Sequence, residues 1–309
     1  MGWEAEHPGC VVVGVEESGP ITDLVMTGAN EAVRRNRPLA VISVAHPAGN
    51  GPSPLLADDR RTRRAPGPGR LDEALALVAR TRPALKVTDF TLADTEVRSD
   101  HEPLASADLL VLGAHGSSGL QAFGPGTVSW RLLRAAQCPV LVIPDQGPGR
   151  TAGPDRIRRP LVLAGLSGEQ SDPVVTAVAF AEAHRRHCDV QFLHSYSPQP
   201  AAQHPGGDLE QAVAVITAAL ARTSPVPGVR CSVVLSEEPP AAALCRQAIG
   251  AGVLVVAARS GSMAGLIDGA VSRAVLAVAP CPVLVVPWLL LHQQPDGRSP
   301  AHQTPSASF

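Results

Sequence analysis

Between the apolar run Leu110-Val111-Leu112 and a helical pattern starting near Val128, the chain reads Gly113-Ala114-His115-Gly116-Ser117-Ser118-Gly119-Leu120-Gln121-Ala122-Phe123-Gly124-Pro125-Gly126-Thr127-Val128-Ser129. Glycines at the end of a strand let backbone N–H groups approach a ligand closely. The start of the following helix, with the hydroxyls of Thr127 and Ser129, favours negative charge. Phosphate is the natural guest of such a loop. Two familiar nucleotide motifs are absent: no G-x-x-x-x-G-K-[ST] occurs, and Gly113, Gly116 and Gly119 are not spaced as G-x-G-x-x-G. His115 either lines the loop or faces water.

Other chemistry has weaker footing. No G-x-S-x-G elbow or other ordered nucleophile motif supports a hydrolase. Cys10, Cys138, Cys188, Cys231, Cys245 and Cys281 are scattered through apolar strands and helices, without the spacing of a zinc site or a C-x-x-C pair. Reduced thiols packed in the core are expected at all of them. His184-Arg185-Arg186-His187-Cys188 reads as the cationic end of a helix in preference to a metal site.

The elements that must hold the glycine loop are organised by an internal repeat. Gln137-Cys138-Pro139-Val140-Leu141-Val142-Ile143-Pro144 returns as Pro280-Cys281-Pro282-Val283-Leu284-Val285-Val286-Pro287, and Gly126-Thr127-Val128-Ser129 returns as Gly269-Ala270-Val271-Ser272. Val11–Val15 and Leu161–Leu166 are matching apolar runs at the start of each half. The expected organisation is a first domain over 8–146, a Gly/Pro-rich charged linker over 147–159, a second domain over 160–288, and a polar, disordered tail over 289–309. The stretch His46–Arg70 is read as a long loop within the first domain.

Apolar runs alternate with helical patterns in both halves, which predicts βαβ units. Strands are expected near 10–15, 39–45, 85–91, 108–113 and 139–144, then near 160–165, 189–195, 228–235, 252–257 and 282–287. Runs such as Val11-Val12-Val13 imply strands covered on both faces. The fold class is therefore α/β, two doubly wound five-stranded parallel-sheet domains in tandem. The apolar strands Val140–Ile143 and Val283–Val286 are expected to meet across a pseudo-two-fold axis, since exposed apolar edges invite pairing.

Composition narrows the partners. The formal charge of −2 and the presence of a single lysine, Lys86, leave no basic footprint for a nucleic acid. No window approaches the ~18 apolar residues of a membrane span, and residues 1–9 lack the pattern of a signal peptide. A cytoplasmic protein with neither nucleic-acid nor membrane partners is expected.

With the loop and the repeat in hand, the chain is seen to resemble the universal stress protein family over nearly all of both halves. Gly113, Gly116, Gly126 and Thr127 match the G-x2-G-x9-G-[ST] pattern of its ATP-binding members, and Cys-Pro-Val-Leu-Val after the helix is also typical. The resemblance implies an adenine nucleotide alpha hydrolase-like fold and ATP as ligand, with Mg²⁺ or Mn²⁺ as accompanying cation. It assigns phosphate contacts to Gly113, Gly116, Gly126, Thr127, Val128 and Ser129. Where the family reads G-V-D-G-S, this chain has Gly14-Val15-Glu16-Glu17-Ser18, so the carboxylate at the ribose or metal becomes Glu16, and Val15 beside it is a further cofactor-binding position. Val44 matches the residue whose backbone faces adenine.

In the second half Ala257 and Ser260 stand nearest the first two loop glycines, Ala270 lacks the hydroxyl and Ser167 replaces the acid. Asp268 adds repulsion toward a nucleotide, so this half is expected to be a structural partner. The resemblance implies a regulatory or protective role in stress, not an enzyme. The nucleotide-loaded state would be sensed by a protein partner, domains would pair within the chain, and the whole chain could form a homodimer. A slow ATPase and a ligand-free interaction module are the rival readings.

Overall fold

Uninterrupted Val/Leu/Ile strands bury all their side chains only if helices cover both faces of the sheet. The computed structural model, which describes residues 9–16, 21–45, 69–93, 96–98, 103–114, 128–144, 161–196, 207–224, 226–258 and 270–287, arranges them in that way. The first half contributes β1 (Cys10–Val15), β2 (Leu39–Ala45), β3 (Val87–Ala93), β4 (Ala107–Gly113) and β5 (Val140–Ile143). The second contributes β6 (Val162–Leu166), β7 (Val190–Ser195), β8 (Cys231–Ser236), β9 (Val253–Ala257) and β10 (Val283–Val286). Among the described residues the helices are α1 (Thr22–Arg35), α2 (Arg70–Thr81), α3 (Val128–Ala135), α4 (Asp172–Arg185), α5 (Gly207–Ala221), α6 (Pro240–Gln247) and α7 (Ala270–Val278).

The third strand of each half starts later than the sequence suggests. Leu85 N–H donates to Arg82 O, and Val229 N–H to Val226 O, so these apolar residues close turns before their strands join the ladder.

Both halves have the doubly wound order, but they do not form separate sheets. They merge into one ten-stranded sheet ordered β3-β2-β1-β4-β5-β10-β9-β6-β7-β8. The join is antiparallel, Val283 opposite Val142, Leu284 opposite Leu141 and Val285 opposite Val140, as the repeated edge strands led us to expect. The neighbouring pairs β4–β5 and β9–β10 are parallel. Each face carries a core that runs through both halves. Val11, Val13, Val41, Val162, Ala164 and Phe192 pack under α1, α2, α4 and α5, whereas Val12, Ile42, Leu110, Leu163 and Leu254 pack under α3, α6 and α7. Helix α1 lies close on β1: a Cβ at Gly28 would collide with Cγ2 of Val13.

Across the join, α1 and α4 are tied by charge. Glu31 and Glu182 occupy repeat-equivalent positions, with side chains only 1% and 2% exposed. Arg35 Nη2 lies 2.6 Å from Glu182 Oε1, and Arg186 Nη2 reciprocates at 2.7 Å from Glu31 Oε1. Arg34 adds a contact to Glu31 at 2.7 Å and Arg185 one to Glu182 at 2.8 Å. Burial alone would raise the Glu182 pKa, but Arg35, Arg186 and Arg185 override it and hold the carboxyl at about 2, below its ordinary 4.5.

Removing one partner of such a network strands the others without compensation, at a cost of about 3–5 kcal/mol. Glu182→Gln is therefore expected to lower unfolding free energy at pH 7 by about that amount, read from urea denaturation. Because the folded-state pKa is depressed, the Glu182 contribution is complete above about 4.5 and fades as pH falls toward about 2. The wild-type stability curve should slope through that window and the variant's should be flatter there. Equal slopes would show that Glu182 does not carry the linkage.

Candidate functional site

In a doubly wound sheet, a crevice opens at the carboxyl ends of two adjacent parallel strands whose following helices go to opposite faces. In the first half these strands are β1, followed by α1 on one face, and β4, which α3 follows on the other. Val15 closes β1 and is 1% exposed, Val44 lies near the end of β2 at 3%, and Gly113 closes β4 beside Ile143. Val128 opens α3, and Ser129 next to it is 1% exposed. The sequence-predicted residues Val15, Glu16, Val44, Gly113, Val128 and Ser129 thus fall at the carboxyl ends of β1, β2 and β4 and at the start of α3. Gly116, Gly126 and Thr127, together with His115 and Glu17, lie outside the described residues.

Glu16 has a partner that the sequence reading did not foresee. Ser129 Oγ donates to Glu16 Oε1 at 2.8 Å, and Ser129 N–H lies 3.3 Å from the same oxygen. Ser129 Oγ is also 3.4 Å from Gly113 O. The single residue therefore joins β1, β4 and α3. The first turn of α3 favours negative charge through its unsatisfied N–H groups and dipole, and a carboxylate of the chain supplies it.

The second half, expected to be only a structural partner, contains a cavity of about 470 Å³ at the corresponding crevice. Its walls come from the ends of β6, β7 and β9, the first turn of α7, and Pro240 and Leu244 of α6. By strand register Ser167 stands where Glu16 does, His194 where Ser43 does and Ser195 where Val44 does. Ser272, 7% exposed, is the counterpart of Ser129 in the helix.

The turn after β6 is closed from within. Asp172, 3% exposed, accepts from Ser167 N–H at 3.0 Å, Gly168 N–H at 2.8 Å and Ser167 Oγ at 3.2 Å. Gly168 takes φ +84°, a conformation that glycine adopts without strain. His194 Nδ1 lies 2.9 Å from Leu166 O, and a carbonyl can only accept, so Nδ1 carries the proton. Ser195 Oγ is buried with no hydrogen-bond partner among the described residues. Asp268 and Ser260 lie outside them.

The cysteines are free. Burial is the largest cause that pushes both Cys138 and Cys281 up to about 12, which suits packing and opposes thiolate chemistry. One expectation fails: Cys231 is exposed, because it opens the outermost strand, β8, and not a strand inside the sheet. The turn with Arg185 and Arg186 serves the charge network between the halves. Among the described residues no group of three or more His, Cys, Asp or Glu side chains could hold a metal, and no helix is long and apolar enough to cross a membrane.

Fold and crevices define a duplicated, doubly wound α/β protein. The universal stress protein family model matches residues 10–144 and again 160–287, and the chain belongs to that family. One universal stress protein of Mycobacterium tuberculosis is 32% identical over 286 residues, covering 89% of this chain and 96% of its own. Another from the same organism is 29% identical over 288 residues, with coverage of 89% and 95%. The crystal structure of a universal stress protein from Archaeoglobus fulgidus superposes with a TM-score of 0.56 at 16% identity, covering 91% and 97% of the two chains, a likeness of fold alone.

Two measurements test this geometry. Ser129→Ala should cost about 1–2 kcal/mol of stability by chemical denaturation, since it removes a buried hydroxyl from the Glu16 carboxylate; a neutral effect would mean that the bond contributes nothing. In native protein, iodoacetamide should label Cys231 well before Cys10, Cys138 or Cys281, by peptide mass spectrometry. Equal labelling rates would contradict the burial pattern.

Proposed function

We propose that this chain is a regulatory or protective universal stress protein whose first half binds ATP together with Mg²⁺ or Mn²⁺. The nucleotide-loaded state is then read by a protein partner. The observation that supports this most directly is the anion already in place: Glu16 holds the start of α3 through Ser129 at a doubly wound switch point. A position that accepts a carboxylate suits a phosphate oxygen by the same physics. In this reading the backbone at Gly113, Gly116, Gly126, Thr127, Val128 and Ser129 takes the phosphates, Val15 and Val44 lie at the base, and Glu16 turns from Ser129 toward ribose or cation.

Glu16 and Glu17 would repel the phosphates of free ATP, and a divalent cation converts that repulsion into attraction. Calorimetry on protein freed of ligand is expected to find about one ATP per chain, bound more tightly with Mg²⁺ than with EDTA. Gly116→Val should abolish binding, because a side chain at a motif glycine takes space needed by phosphate oxygens, while Ser260→Val should leave it unchanged. Circular dichroism checks that both variants fold. If the wild type binds no adenine nucleotide even with metal, the proposal fails and a ligand-free interaction module replaces it.

A further inference from the structure

A groove of about 600 Å³ lies between the carboxyl-terminal turns of α1 and α4, on the side of the join where β4 and β5 begin. Its described lining carries Arg34 and Arg35 at the end of α1, Arg37 just beyond it and Arg185 of α4, against two carboxylates, Asp108 and Glu182. Both carboxylates are engaged: Arg37 pairs with Asp108, while Arg35 and Arg185 converge on the single oxygen Oε1 of Glu182 at 2.6 and 2.8 Å. Glu31 and Arg186, outside the lining, cancel each other. Among the described residues the groove therefore keeps an excess of two positive charges. The carboxyl-terminal dipoles of α1 and α4 offset part of it, about half a charge each, without reversing its sign. This charge is open to solvent, since the side chains of Arg34, Arg37 and Arg185 are 41%, 40% and 32% exposed.

The repeat shows what makes the space. Ala177, Val178 and Ala181 of α4 form the apolar part of the groove, and their repeat equivalents on α1 are the larger or more polar Met26, Thr27 and Asn30. Met26 and Asn30 are engaged by Thr81 and Arg82 at the end of α2. Cys188 takes the place of Arg37 in the second copy. Small side chains on α4 and an additional arginine after α1 thus distinguish this side of the join from the other.

We infer that this groove is an anion site that takes a phosphate dianion, free or borne as a monoester on a small organic body. Guanidinium forks match phosphate oxygens in pairs, and an excess of two positive charges suits a doubly charged anion. Arg34 and Arg185 have donors to give, since among the described residues each commits a single N–H group, to Glu31 and to Glu182 respectively. The volume exceeds what the ion alone fills, and Ala177, Val178 and Ala181 offer apolar contact to an attached body. An anion held there touches α1 and α4 together and so adds a bridge between the halves beside the buried charge network. The groove lies where β4 and β5 begin, away from the crevice at the carboxyl end of β4, so the inference does not rest on the nucleotide reading of the first half.

The test titrates the full chain, freed of ligand, by calorimetry with inorganic phosphate and with phenyl phosphate, at an ionic strength held constant with chloride. A component of the binding is expected to survive Gly116→Val, which addresses the first-half loop, and to weaken about tenfold in Arg185→Gln and in Ala181→Glu. Ala181→Glu keeps all four arginines and places a carboxylate one turn before Arg185, where it competes with the anion. Because residue 181 is only half-buried, this variant also serves if Arg185→Gln disturbs folding. Tighter binding of phenyl phosphate than of phosphate supports the site and names a monoester as its ligand; equal binding supports it and names the free ion. No binding of either probe, complete loss in Gly116→Val, or binding indifferent to Ala181→Glu would each overturn the inference. ATP titration of the wild type reports separately on the first half, so the two readings fail independently.

Discussion

The antiparallel meeting of β5 and β10 is the constraint on which the rest of the molecule depends. Four-residue strands of pure Val, Leu and Ile cannot remain as exposed edges, and pairing them with each other removes the hazard within one chain. The pairing puts a pseudo-two-fold axis at the Leu141–Leu284 pair, and that axis brings α1 against α4. Two buried glutamates there face four arginines, an arrangement whose desolvation cost is offset only when each carboxylate is bonded from several sides. Hydrophobic pairing supplies association, and the crossed ion pairs fix which helix faces which. The outer strands left at the sheet's ends, β3 and β8, carry Thr88, Asp89, Cys231 and Ser232, a polar composition that discourages further pairing.

Much of this architecture was legible in the sequence because it depends on local pattern and on repetition. Continuous apolar runs located the strands to within a few residues, and the doubled Cys-Pro-Val-Leu-Val run pointed to the strands that meet. The charge network was missed although its signal was present: Glu31-Ala32-Val33-Arg34-Arg35 recurs as Glu182-Ala183-His184-Arg185-Arg186. Read one helix at a time, each copy looks like an ordinary solvated turn with i,i+3 and i,i+4 pairs. Only the juxtaposition of two helices shows that the charges cross. Cys231 was misread for the related reason that strand membership does not tell whether the strand is at an edge.

The site was legible in its residue types and not in its bonds. Glycine and hydroxyl spacing pointed to the end of β4 and the start of α3, but no pattern says that Glu16 reaches Ser129, a contact 113 residues away in sequence. The cavity of the second half carries no motif in the sequence. The second half lacks the loop glycines, yet the cavity itself is made by strand ends and helix packing, which the duplication preserved. Replacing Glu16 by Ser167 removes a carboxylate from the crevice and adds a hydroxyl opposite the retained one of Ser272.

The same join determines how the crevices relate to each other. Strands within each half run parallel, so each crevice opens at the carboxyl ends of its own strands, and the antiparallel junction turns those ends broadly toward opposite ends of the sheet. The two crevices are therefore not adjacent. What lies between them is covalent and packed: α1 follows the Glu16 strand and α4 follows the Ser167 strand. Their carboxyl-terminal turns carry Arg35 and Arg186 into the shared charge network. Any influence of one site on the other must pass through this rigid pair of helices or through the common sheet, and either route acts on the relative placement of the halves. A buried crossed network resists small displacements, because shifting one helix breaks bonds to both carboxylates together. The physical consequence is two chemically distinct crevices held at opposite ends of the strands by one continuous sheet and one crossed charge network.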